Sequence, residues 1–312
     1  MKFMKRILTI IAVFASTFFT YSAVAQELTL PQGNFDSLRK TDAAKVTEVV
    51  NPLTVKLDDG RFIHLAGLDY PDLDYYDPGD LAVTAQQILD DFLKGETVII
   101  YQTQSKDQGR INRMGHHIAH LARASDKTWA QGMLLALGVA RVRTTQYNPE
   151  MGQQMLELEN QARDLKVGLW AMDEYAILSP ENTASHIGSY QIIEGTVVSV
   201  SMRRNKLYLN FGNNWKEDFT VRISSSRRKA YEKNGIAPRR WSGKKIRIRG
   251  WIESYNGPFI DIDHPERIEA LFANTNTGEG QTAERDVSAE KNGTSARPLH
   301  PNKGSALPEF ND

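Results

Sequence analysis

The chain has 312 residues, no cysteine, 40% hydrophobic residues, and 38 basic side chains against 38 acidic ones. That length points to two domains rather than one, and the lack of cysteine excludes disulfide frameworks, thiolate nucleophiles and cysteine zinc sites, so stability must come from burial alone. The neutral total hides an asymmetry: between Tyr190 and Ala270 there are 16 Lys or Arg against 9 Asp or Glu, a balance suited to a polyanionic partner.

The predicted elements run in order from an export signal. Lys2, Lys5 and Arg6 precede the apolar run Ile7–Thr20 and the small-residue stretch Ala23-Val24-Ala25, so residues 1–25 are expected to be a signal peptide, with an uncleaved anchor as the alternative. The run is too short to cross a bilayer comfortably and no later segment is longer, so no transmembrane segment is expected after cleavage. The mature chain would then be periplasmic or secreted. Residues 26–44 are polar and are expected to be a poorly ordered lead-in. Lys45–Val50, Thr54–Leu57 and Phe62–Ala66 alternate and are rich in β-branched residues, which predicts three strands. Leu81, Ala85, Ile88, Leu89 and Phe92 have helical spacing over Leu81–Leu93, stopped by Lys94-Gly95. Strands are predicted at Thr97–Tyr101 and His117–Arg123, and helices at Trp129–Leu137 and Glu150–Leu165. A linker over Ser179–Gly188 leads to strands at Gln191–Ser201, Lys206–Phe211, Asp218–Ile223, Lys245–Ile252 and Pro258–Asp261, with a basic helix at Ser225–Asn234. Residues from 272 onward are Asn-, Thr-, Gly- and Glu-rich with few large apolar side chains and are expected to form a disordered tail.

Val49–Asp72 reads VVNPLTVKLDDGRFIHLAGLDYPD. This hairpin and loop resemble the opening motif of the staphylococcal nuclease (thermonuclease-like) family, V-x-D-G-D-T-V-x-L followed by I-R-L-x-G-I-D-x-P-E. Asn112–Leu121 resembles the family's D-R-Y-G-R-x-L-A-x-V, Leu134–Val142 its L-x-x-x-G-L-A-x-V, and Glu159–Arg163 with Gly168-Leu169-Trp170 its closing E-x-x-A-R and G-L-W. The resemblance covers about residues 45–178 and implies an α+β, mainly β, fold: a five-stranded OB barrel with three helices. The strand and helix order after the linker is again that of an OB barrel, so residues 189–271 are expected to form a second, basic OB-like barrel.

Mapped residue by residue, the resemblance implies a degenerate site. The two calcium-binding carboxylates fall on Leu53 and Asp69, with the backbone of Tyr70 completing the ligands. The water-activating glutamate falls on Asp72, and the two phosphate-binding arginines on His64 and His116. An alternative gapping, through Asp107-Gln108-Gly109-Arg110, would supply Arg110 as one arginine. Leucine offers no oxygen to a cation that takes six to eight oxygen ligands. Aspartate is about 1.3 Å shorter than glutamate, and a misplacement of that size can cost on the order of a hundredfold in rate. Losing an arginine that meets transition-state phosphate can cost roughly 10³–10⁵. No cofactor is therefore certain. Ca2+ is possible only as a weak ligand, and two imidazoles at positions 64 and 116, close to Asp69 and Asp72, could instead suit Zn2+.

His116 and His120 share a strand face but sit about 13 Å apart at about 3.3 Å per residue, so they cannot chelate one ion. The acidic run Asp69, Asp72, Asp74, Asp77, Asp80 could hold calcium or simply be solvated. In the second module Arg227, Arg228, Lys229, Arg239, Arg240, Arg247 and Arg249, with Tyr208, Phe211, Trp251, Tyr255 and Phe259, have the composition of a face for single-stranded nucleic acid or another polyanion; the alternative is that the rings close the core and the arginines solubilise it. Three readings follow: a polyanion- or protein-binding module with little or no nuclease activity, a weak or altered metal-dependent phosphodiesterase using Asp69, Asp72 and His116 or Arg110, and an envelope scaffold that binds a protein partner.

Overall fold

The structure, a computed structural model, describes residues 30–272 apart from Tyr75, Asp107, Trp215 and Asn234. The expected signal peptide and tail lie outside the described residues. Among those residues no helix is long and apolar enough to cross a membrane.

The first module is α+β. Its strands β1 (Arg39–Asn51), β2 (Thr54–Leu57), β3 (Phe62–Leu65), β5 (Thr97–Gln102) and β6 (His117–Arg123) close into a barrel in the order β1-β2-β3-β6-β5. Strand β1 has 13 residues and register shifts at Lys40/Ala43 and Val46/Glu48, which let one strand bend around the barrel and pair with both β5 and β2. Closure comes from the parallel pairing of β3 with β6, Ile63 opposite His117 and Leu65 opposite Ala119. The tight turn after β2 ends at Gly60, whose φ of +86° a side-chain-bearing residue would resist.

β1 starts inside the segment expected to be a disordered lead-in. That expectation fails because the segment is not polar throughout. Phe35 stacks on Tyr101 with ring centroids 4.1 Å apart and meets Trp129 edge-on at 6.0 Å, and Gln32 pairs with Thr128. Helix α1 (Asp80–Leu93) buries Leu81, Ala85, Ile88, Leu89 and Phe92 against the barrel, as its spacing predicts. Helices α2 (Ala130–Ala136) and α3 (Gly152–Asp164) close the other side, and the short strands β4 (Leu68–Asp69) and β7 (Arg141–Val142) pair beside them. The G-L-W motif has a steric cause. Gly138 and Gly168 approach so closely that a Cβ on Gly168 would lie 2.2 Å from the Gly138 carbonyl oxygen, which itself accepts the Leu169 N–H at 2.8 Å.

After Gly188 the predicted strand Gln191–Ser201 is two strands, β8 (Tyr190–Thr196) and β9 (Ser199–Arg203). At Val197-Val198 the chain changes partner, Val197 N–H donating to Lys244 O and Val198 N–H to Asn210 O. Consequently β8 joins β12 (Lys245–Trp251) and β15 (Ile268–Ala270), whereas β9 opens a five-stranded sheet with β10 (Lys206–Asn210), β11 (Thr220–Ile223), β14 (Pro258–Ile262) and β13 (Glu253–Ser254). Strands β11 and β14 run parallel, and helix α4 (Ser225–Lys233) links β11 toward β12. Each module has its own apolar core, around Trp129 and Phe92 in the first and around Trp241, Phe219 and Ile248 in the second. Charged and polar side chains, Arg249 with Glu159 and Thr144 with His264, link the two modules.

Candidate functional site

His64 lies on β3, opposite Thr54 and beside Ile118. His116 stacks on Phe62 with ring centroids 5.1 Å apart and an interplanar angle of 26°. The two imidazoles are neighbours, as the sequence mapping predicts: burial, and then the charge of His116, hold the His64 pKa below its ordinary value. Carboxylates do not join them. Among the described residues no group of three or more His, Asp or Glu side chains is disposed to hold an ion.

Asp69 is elsewhere employed. It is 7% exposed, and its Oδ2 accepts Arg141 Nη2 at 2.7 Å and Arg141 Nε at 3.0 Å, while Oδ1 takes Arg143 Nη1 at 3.2 Å. The β4–β7 pairing puts Asp69 directly opposite Arg141, so the ion pair is built into the register. Asp72 is bonded at a helix start; its Oδ2 accepts the Leu81 N–H at 2.9 Å and the Ala82 N–H at 3.3 Å at the beginning of helix α1. A carboxylate there satisfies free amide donors and meets the positive end of the helix dipole. Asp74 in turn accepts the Tyr76 and Asp77 N–H groups. The acidic run therefore shapes a turn and caps a helix.

Leu53 packs against the barrel core, and Asn51 Oδ1 accepts its N–H at 2.9 Å. The calcium that the nuclease fold implies does not fit these residues: one ligand position is apolar, and the carboxylate at the other has both oxygens bonded to arginines. Arg110 is spent on its own loop, Nε donating to Thr103 O at 3.1 Å and Nη2 to Gln104 O at 2.9 Å. The Asp107 that would begin its motif lies outside the described residues.

His120 is part of the core rather than of a metal motif. It packs on Trp129 at 5.7 Å, and burial pushes its pKa down to about 3. The unfolded chain binds this proton near pH 6.5 and the folded chain does not. The stabilisation is complete above about pH 6.5 and is lost as the pH falls toward 3, at about 1.4 kcal/mol per pH unit. Denaturant melts from pH 7 to 4 are expected to show this extra slope and to lose it in His120→Phe; an unchanged slope would assign the acid sensitivity to other groups.

The arginines of the second module divide. Arg247 and Arg249 alternate on β12 with Ile246 and Ile248, which face the core. Neither faces a polyanion. Arg249 is wholly buried, donates Nη1 to Val142 O at 3.1 Å and Nη2 to Glu159 Oε2 at 2.8 Å, and also holds Glu269 Oε1 at 2.6 Å. Arg247 bonds Glu194 at 2.7 Å and Asn160 at 3.0 Å. Arg228 is buried against Asn205 and Met202, and Arg227 reaches Gln146 of the first module. Lys229, Arg239 and Arg240 remain exposed. Phe211 is buried in the module's apolar core, so the core alternative holds for that ring, whereas Phe259 is buried outside that core, beneath the Arg222 guanidinium and the Tyr255 ring.

These arginines face a junction that residue types alone did not reveal. Arg141 Nη2 also donates to Tyr190 O at 3.2 Å, Tyr190 Oη donates to Val142 O at 3.3 Å, and Thr144 Oγ1 lies 2.8 Å from His264 Nε2. Glu159 sits at its centre, accepting the Val142 N–H at 2.7 Å as well as Arg249. The one available signal was Glu159 inside the closing motif, a carboxylate on an otherwise inward helix face.

A closed five-stranded barrel with a parallel β3–β6 closure and flanking helices defines an OB-type nuclease-like architecture. Residues 63–172 match the family model described as Staphylococcal nuclease homologue, and this chain carries a staphylococcal nuclease-like domain. The match begins at Ile63, downstream of the turn that contains Leu53. Comparison with curated proteins gave no match. Such a domain places the chain among nuclease-related or nucleic-acid-binding proteins.

Proposed function

We propose that this chain is exported to the periplasm or the exterior and binds single-stranded nucleic acid without calcium-dependent cleavage. The observation that carries the reading is Asp69: both oxygens of the one remaining calcium-ligand carboxylate are bonded to Arg141 and Arg143. Support for binding comes from the cations that have no role at the junction, Lys229, Arg239 and Arg240, on a segment with an excess of basic residues. The strand order of the second module, with its parallel β11–β14 pair, supports reading it as OB-like.

The full chain is to be incubated with single-stranded DNA in calcium, magnesium, manganese and zinc, following retention and cleavage together. Retention without cleavage is expected, with affinity falling steeply as salt rises. Replacing Lys229, Arg239 and Arg240 by alanine should reduce the slope of log affinity against log salt by about 2, since each phosphate contact contributes roughly 0.7 on a single strand. Cleavage that disappears in Asp69→Ala would overturn the reading in favour of a surviving phosphodiesterase. Neither retention nor cleavage would leave the scaffold reading.

A further inference from the structure

The five-stranded sheet of the second module has one face in the core and one in solvent. Leu207, Leu209, Val221, Ile223, Ile260 and Ile262 point inward and are buried. The alternate residues form rows across the outer face: Ser201, Tyr208, Arg222 and Asp261 in one, and Ser199, Asn210, Thr220, Phe259 and Glu253 in the next. A cavity of about 270 Å³ opens over these rows, and seven of its eight lining residues are uncharged. Two tight turns border it. Arg204 and Asn205, both with positive φ, turn β9 into β10; Asn256, at φ +51°, turns β13 into β14, with the Tyr255 N–H donating to Gly257 O at 2.9 Å.

The lining is aromatic and neutral. Phe259 is buried beneath the Arg222 guanidinium at 4.9 Å and the Tyr255 ring at 5.6 Å, whereas Tyr255 itself is 59% exposed, a large ring open to water. Asn210 Nδ2 donates to Ser199 Oγ at 3.0 Å, which leaves its carbonyl oxygen as an acceptor. The Asn256 amide and the Ser201 hydroxyl add further donors and acceptors. The cations of this face are already engaged: Arg222 Nε donates to Asp261 Oδ1 at 3.1 Å, and Arg203 has a partner of its own. Glu253, in register beside Phe259, puts a carboxylate on the same face.

A phosphate-bearing strand would meet engaged cations and an acid here, whereas its affinity comes from phosphates neutralised by Lys and Arg. A neutral ring rich in hydroxyls needs no such charge. A pyranose with equatorial hydroxyls has flat faces of C–H bonds, which pack on an aromatic ring, and a rim of hydroxyls that exchange water for side-chain amides and hydroxyls. We propose that this cavity binds one pyranose unit of a neutral glycan with equatorial hydroxyls, stacked on Tyr255 and hydrogen-bonded at its rim by Asn256, Asn210 and Ser201. Glycan binding is a second activity, independent of the nucleic-acid reading, because the cavity shares no residue with Lys229, Arg239 and Arg240.

Isothermal titration of the full chain with cellohexaose, with chitohexaose and with an oligothymidylate tests this. At least one of the two neutral oligosaccharides is expected to bind, with an affinity that salt leaves unchanged, since a neutral ligand releases no counterions. Tyr255→Ala should weaken that binding by about 3- to 10-fold and Tyr255→Phe should keep it. Asn256→Gly removes the amide while retaining the left-handed turn, and should weaken it by about 2- to 10-fold. These exposed positions should leave the melting temperature and the oligothymidylate affinity as they are, and replacing Lys229, Arg239 and Arg240 by alanine should leave glycan binding intact. No binding of either oligosaccharide, or glycan binding that Tyr255→Ala does not weaken, would overturn the proposal. Oligothymidylate binding lost in Tyr255→Ala, with no glycan bound, would overturn it in favour of a nucleobase. Glycan binding without oligothymidylate binding would uphold it and remove the nucleic-acid reading alone.

Discussion

Glu159→Ala is expected to destabilise the protein by about 3–5 kcal/mol, the range for removing one partner of a buried ion pair. Glu159 is 0% exposed, and its loss would leave the buried Arg249 guanidinium with only Glu269 and the Val142 carbonyl, and would leave the Val142 N–H without its acceptor. For a body of this size that corresponds to a fall in melting temperature on the order of 10 °C. The double variant Glu159→Leu/Arg249→Met is expected to recover part of the loss, because apolar side chains of similar volume can replace a buried pair at little net cost. Melting of the two single variants and the double variant measures the coupling. Strict additivity would mean that the pair does not act as one unit.

Asp69→Ala is the second large effect and separates two roles for one carboxylate. As an ion-pair partner at the junction, its removal leaves Arg141 buried beside the Tyr190 carbonyl and should cost about 3 kcal/mol or more. Calcium should then have no influence on the melting of either form. As a metal ligand, Asp69 would give the opposite pattern: calcium would raise the melting temperature of the unaltered chain, by the linkage between binding and folding, and the variant would lose that response. Thermal melts with calcium and with chelator decide between them. A calcium-dependent rise abolished by Asp69→Ala would restore the metal site.

Both experiments address the same feature. In the barrel family this fold resembles, the end of the hairpin is where chemistry would occur; here its acidic residue is turned to a neighbouring arginine on β7, and the second module contacts the adjoining β7 segment through Tyr190, Arg249 and His264. The cations Lys229, Arg239 and Arg240 remain open to solvent.

How much of this was legible without coordinates differs from element to element. Helix α1 and strands β2, β3, β5 and β6 follow from local patterning, because burying an amphipathic face fixes its period in the residues themselves. The break in the strand after Gln191 was not legible, since Val197 and Val198 continue the apolar pattern while changing hydrogen-bond partner. The proximity of His64 and His116 followed from the family motif, which carries register between β3 and β6. The sequence alone determined that Leu53 offers no oxygen, and the resemblance to the family led to the expectation of imidazoles, His64 and His116, at arginine positions, with Arg110 as the alternative for one of them. Only tertiary structure decided that Asp69 serves Arg141, that Asp72 caps a helix, and that Arg247 and Arg249 hold Asn160 and Glu159 rather than phosphates. A charged residue's partner lies tens of residues away, and no local pattern encodes which opposite charge the fold will bring within 3 Å of it.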